Sequence, residues 1–140
     1  MLIDEIKAAN IKAMKERDNV ARAVLSVVLT KYKNLEVEMR SQGKEISDKE
    51  LIAIIQKTLK ELSDEKEGYA KVGNAQRVAD IARQEEVLSS YLPKQLSEQE
   101  IRDIILSLED RSVPSVMKHF KTNYAGQVDM SLVNSILRSL

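Results

Sequence analysis

The chain has 140 residues, 43% of them hydrophobic and 31% charged, with 22 basic residues balancing 22 acidic ones. That composition suits a soluble globular chain of one domain or two small ones, not a disordered one. The absence of cysteine excludes disulfides, thiolate zinc sites and a Cys nucleophile, and the single histidine, His119, excludes a multi-His metal site. No metal or cofactor is therefore expected.

The charge is unevenly spread. Residues 111–140 carry Arg111, Lys118, Lys121 and Arg138 against Asp129 alone, residues 1–33 are also mildly basic, and the middle is acidic. Solvated helix faces account for this pattern, and an anionic partner at the ends is the alternative. The longest apolar block, "AVLSVV" at 23–28, is far too short for a membrane span, so no membrane partner is expected. "MLIDEIKAAN" lacks the basic-then-apolar layout of a signal peptide, so a cytoplasmic location is expected.

In chain order, residues 2–16 place Leu2, Ile3, Ile6, Ala9, Ala13 and Met14 on one helical face. Over 19–40, Val24, Val28, Tyr32, Leu35 and Met39 recur at helical spacing. Val20, Leu25 and Val27 widen the stripe, which predicts a central helix. "SQGKE" ends it, with Gly43 as the C-terminal cap. "ISDKEL" then reads as a capping box of Ser47 and Glu50, flanked by a staple of Ile46 and Leu51. The helix that follows carries Leu51, Ile55, Leu59, Leu62 and Tyr69. Gly73 breaks the chain and Asn74 caps a fourth helix bearing Val78, Ile81, Leu88 and Leu92.

"YLPKQLSEQEI" at 91–101 stops that helix at Leu92, because Pro93 has no amide hydrogen and disfavours helix before it. The same stretch restarts the chain with a second box, Ser97 and Glu100, stapled by Leu96 and Ile101. Three short helices are expected beyond it. The first holds Ile101, Ile104, Ile105 and Leu108. The second, entered through "SVP", holds Val113, Val116, Met117, Phe120 and Tyr124. The third, capped by Asp129 after a turn at Gly126, holds Leu132, Val133, Ile136, Leu137 and Leu140. The expected fold is all-α, with a four-helix N-terminal module over 1–92 and a small three-helix module over 93–140.

No catalytic constellation stands out. The glycines are isolated, and there is no phosphate loop and no nucleophile elbow. A triad would have to use His119, which reads instead as a partly exposed surface residue. Glu85 and Glu86 suggest an acid–base pair, but Glu85 on the apolar face reads better as a seam carboxylate paired with Lys or Arg. Tyr69, Lys71, Asn74 and Arg77 gather near one turn, either as a small polar site or as a loop with a snorkelling lysine.

"YLPKQLSEQEI", "SVMKHF", "AGQVD" and "SLVNSIL", in that order, resemble the YqeY family, as does "RAVLSVVLTKYKNLEVE" at 22–38. The resemblance spans nearly the whole chain. It implies a relation to the C-terminal tail of the B subunit of the glutamine-dependent aminoacyl-tRNA amidotransferase, a tail that helps hold tRNA. The matching tail positions are Val116, Met117, Gly126, Asp129, Val133 and Asn134. This chain has Pro114-Ser115 where the family usually has Gly-Lys, and Gln127-Val128 where it usually has a cation and Ala. The implied function is that of a non-catalytic, tRNA-associated accessory protein, with Arg111, Lys118, Lys121 and Arg138 as the candidate tRNA-binding cations and tRNA held weakly. The alternatives are a helical protein–protein adaptor and a carbon–nitrogen ligase using glutamine as amido donor. Only the family label suggests the ligase, since the chain has neither an amidase signature nor an ATP-handling domain.

Overall fold

A computed structural model describes all residues, Met1–Leu140. It contains seven helices and no strand: α1 Leu2–Lys15, α2 Asn19–Ser41, α3 Asp48–Lys71, α4 Ala75–Ser89, α5 Glu98–Ser107, α6 Val113–Asn123 and α7 Met130–Ser139. No helix is long and apolar enough to cross a membrane. Contacts divide the chain into two compact units, Met1–Tyr91 with α1–α4 and Leu92–Leu140 with α5–α7.

In the first unit α2 is central, touching α1, α3 and α4, while α3 and α4 form an antiparallel hairpin. Ile3, Ile6, Val24, Leu25, Val28, Tyr32, Leu51, Ile55, Leu62, Ile81 and Leu88 are buried. Two residues expected on the apolar faces are exposed instead. Met14 is 48% exposed and Val27 45%. Each adjoins a residue that does turn inward, Ala13 and Val28, and the step of about 100° per residue carries the neighbour off the seam. Leu35 and Met39 are half-buried.

Polar clamps tie these helices together. Asp18 caps α2 by accepting from the Ala21 amide, and its carboxylate is gripped by both terminal nitrogens of Arg83 on α4. Gln84 donates to the Val20 carbonyl at 3.0 Å. Lys31 donates to both the buried Thr58 hydroxyl and Glu61, each at 3.0 Å. Lys66 donates to Glu85 at 2.5 Å, so Glu85 is a paired carboxylate at the α3–α4 seam.

The fourth helix ends at Ser89, three residues earlier than expected. Ser89 lies four residues before Pro93, whose ring clashes with the carbonyl at that offset in a continuing helix. The Ser90 hydroxyl then takes the Val87 carbonyl at 2.7 Å, which completes the stop.

The second unit has its own core of Ile101, Ile105, Val116, Phe120, Val128, Val133 and Ile136, with α7 packed on both α5 and α6. Val113 and Leu140, expected on the apolar faces, are about half exposed, one opening α6 and the other closing the chain just past α7.

Candidate functional site

The second unit holds all the residues singled out as a tRNA-binding surface. Lys118 and Lys121 stand one turn apart on α6, exposed, and Arg138 is exposed in the last turn of α7. None of the three forms an ion pair or a hydrogen bond within the chain. Arg111 differs. Its guanidinium donates to the carbonyls of Leu106 at 2.9 Å and Leu108 at 3.3 Å, satisfying the open C-terminal end of α5. It is a helix cap first, and two of its donors are already used.

Three acids of this unit serve helix N-termini. Asp110 accepts from the Ser115 hydroxyl at 2.7 Å and the Ser112 amide at 3.0 Å, and these bonds, the Ser115 one chiefly, hold its carboxyl below the usual carboxylate range. Its neighbour Arg111 serves the end of α5 while Asp110 serves the start of α6, so this dipeptide supplies each helix terminus with the charge its dipole favours. Asp129 accepts from the Ser131 amide at 2.9 Å and caps α7. Glu100 closes the Ser97 box.

His119 is half-buried, edge-on to Phe120 with centroids 5.9 Å apart and tilted against Tyr124 at 6.0 Å. The Asn123 side chain lies 3.2 Å from its Nδ1. No acid–nucleophile pair surrounds it. In the first unit, the Tyr69–Arg77 cluster is a packing device. Arg77 stacks 5.1 Å above the Tyr69 ring and approaches Glu65 at 3.7 Å, while Asn74 caps α4 through the Arg77 amide.

A family model described as Yqey-like protein matches residues 3–140. The chain belongs to the YqeY family. No curated protein matches it. Within this family frame, the tail positions can be sorted by what they do here. Val116 and Val133 are fully buried in the core, and Met117 packs against it. Gly126 adopts φ +78°, a conformation that glycine reaches without strain. Asp129 is a cap. Asn134 is half-buried and bonded to no other group of the chain. Of the six, only Asn134 is neither an apolar residue in or against the core cluster, nor a cap, nor a turn glycine.

Three contributors were not legible in the sequence. Gln95, inside "YLPKQL", donates to the Gly126 carbonyl at 2.7 Å and the Pro93 carbonyl at 2.9 Å. The Leu96 amide donates to the Gln127 carbonyl at 2.9 Å. Two stretches whose bonded residues lie 31 apart, both quoted for the resemblance, thus clasp one another. Asp110 was the third, and no spacing rule marks a loop acid that caps the next helix. The Pro114-Ser115 and Gln127-Val128 positions are equally structural, with Pro114 near the start of α6, Ser115 on Asp110 and Val128 buried.

Proposed function

We propose that this YqeY-family chain is a non-catalytic accessory protein that associates weakly with tRNA through its C-terminal unit. The observation that carries the reading is a set of free cations on two helices without acids. Lys118, Lys121 and Arg138 are exposed and unpaired, and neither α6 nor α7 contains an acidic residue. These cations therefore face solvent with no acid on their own helices, which is what a phosphate backbone can meet. The resemblance to the amidotransferase tail supports the same reading.

The test is titration of tRNA against the wild type and a Lys118→Ala/Lys121→Ala variant. The variant is expected to bind every tRNA more weakly and to a similar degree, because phosphate contacts carry no sequence information. Equal binding by the two proteins would favour the adaptor reading. One observation supports that second reading: the end of the α3–α4 hairpin carries an open, largely apolar hollow of about 320 Å³ lined by Ala70, Ala75, Val78, Ala79 and Ala82 among others, with Val72 77% exposed nearby.

A further inference from the structure

We propose that Asn134 is a specificity-determining contact that recognises the ribose 2′-hydroxyl of a bound RNA, beside a phosphate held by Arg138. The assignment rests on the tRNA reading above and goes beyond it, by naming the residue that distinguishes RNA from DNA. Three observations lead to it. Asn134 is half-buried in α7, and its amide forms no bond with any group of the chain. Its amide atoms are not sealed in the interior either, since the buried polar atoms without a partner are Asn10 Oδ1 and Arg102 Nε. Arg138, one turn further along α7, is exposed and equally unengaged. Residues four apart on a helix are surface neighbours, so α7 presents an amide and a guanidinium together.

The chemistry of the pair narrows the ligand. A guanidinium offers a fork of donors and no acceptor, which suits a phosphate. An amide offers a donor and an acceptor, the complement of a hydroxyl that is itself both. In RNA the 2′-hydroxyl and the 3′-phosphate sit on adjacent ribose carbons, so the two groups arrive together. DNA has the phosphate but not the hydroxyl, and that hydroxyl is what lets a protein tell the two apart. α7, Met130–Ser139, carries no acid of its own to oppose such a ligand, and Asp129 lies before its first turn, at the end away from Arg138.

The experiment measures the affinity of the full chain for a tRNA transcript and for the same sequence made as DNA, over a range of salt. Wild type, Asn134→Ala and Arg138→Ala are compared, with thermal melts to confirm that each variant is folded. Wild type is expected to prefer the RNA. Asn134→Ala is expected to lose about fivefold on RNA, the worth of one neutral hydrogen bond, and nothing on DNA, with its salt slope unchanged. Arg138→Ala is expected to weaken both ligands and to flatten the slope by about 0.9. A wild type without RNA preference overturns the assignment independently of any variant's folding. So does Asn134→Ala binding RNA as wild type does, or losing RNA and DNA affinity equally, and in these cases tRNA binding itself stands. If wild type binds no tRNA, the functional reading fails and this assignment fails with it.

Discussion

Arg17 sits where a glycine is usually found. Three helices of the first unit end in the same pair of bonds. After α2, the Gly43 amide reaches the Arg40 carbonyl and the Lys44 amide the Met39 carbonyl. After α3, Gly73 reaches Ala70 and Asn74 reaches Tyr69. After α1, Arg17 reaches Met14 and Asp18 reaches Ala13. This is the Schellman stop, and its pivot needs positive φ. Gly43 and Gly73 both take φ +73°, and Arg17 takes +57°. A residue with a Cβ pays roughly 1 kcal/mol or more for that conformation, so Arg17→Gly should stabilise the protein. The greater freedom of glycine in the unfolded chain offsets part of the gain, leaving a few tenths to about 1 kcal/mol in a urea melt. Gly73→Ala should move the other way by about 1 kcal/mol, and purely through backbone strain, because an added Cβ there meets nothing within 4 Å. An Arg17→Gly variant no more stable than wild type would show that the strain is absorbed locally. The glycines at 43 and 73 announced their turns in the sequence. The turn at Arg17 did not, because its side chain gives no hint of the conformation.

At the scale of elements, the punctuation was more legible than the clasps. Both capping boxes formed where Ser and Glu stood three apart, since that motif is local and its partners lie within one turn. In the Ser97 box the Glu100 amide reaches the hydroxyl at 3.2 Å and the Ser97 amide reaches the Glu100 carboxylate at 3.2 Å. In the Ser47 box the hydroxyl turns to the Glu50 carboxylate, which also accepts from the Ser47 amide at 2.8 Å. Ser97→Ala should therefore cost about 1 kcal/mol in a denaturant melt. Long-range bonds such as Gln95 to Gly126 and Arg83 to Asp18 depend on tertiary placement, which periodicity does not encode. The same bonds set a pH dependence. The carboxyls of Asp18, Glu50, Glu100 and Asp110 are all held below their ordinary range, Asp18 chiefly by Arg83, Glu50 and Glu100 by the serine and amide of their own boxes, and Asp110 chiefly by Ser115. A carboxyl depressed by folding contributes stability that is fully present above its unfolded pKa and is lost as pH falls through its folded one. Urea midpoints should thus hold steady near neutrality and drop below about pH 5. Glu100→Gln keeps an acceptor for the Ser97 amide but cannot titrate, so its midpoint should fall less over the acid range. An unchanged acid profile in that variant would place the sensitivity in the other three carboxyls.

For the molecule as a whole, zero net charge hides two helices, α6 and α7, that carry cations and no acid, and salt dependence is where that becomes measurable. Residues 111–140 hold four cations against Asp129, but Arg111 is committed to the carbonyls of α5, which leaves Lys118, Lys121 and Arg138 to meet phosphates. Each phosphate neutralised on a duplex contributes about 0.9 to the fall of log affinity with log salt, so three contacts give a slope of roughly −3. Removing Lys118 and Lys121 together should bring it to about −1. So few contacts, in a chain with four tyrosines, one phenylalanine and no tryptophan to stack on bases, place the affinity at physiological salt on the order of micromolar or weaker. The test is tRNA binding by wild type and the double variant at several salt concentrations. If the wild-type slope came out far steeper than −3, cations of the first unit, such as Lys7 or Arg22, would have to join the interface. If it lay near zero, contact with phosphates would not be what holds tRNA, and the open hollow at the end of the α3–α4 hairpin would become the surface to probe for a protein partner.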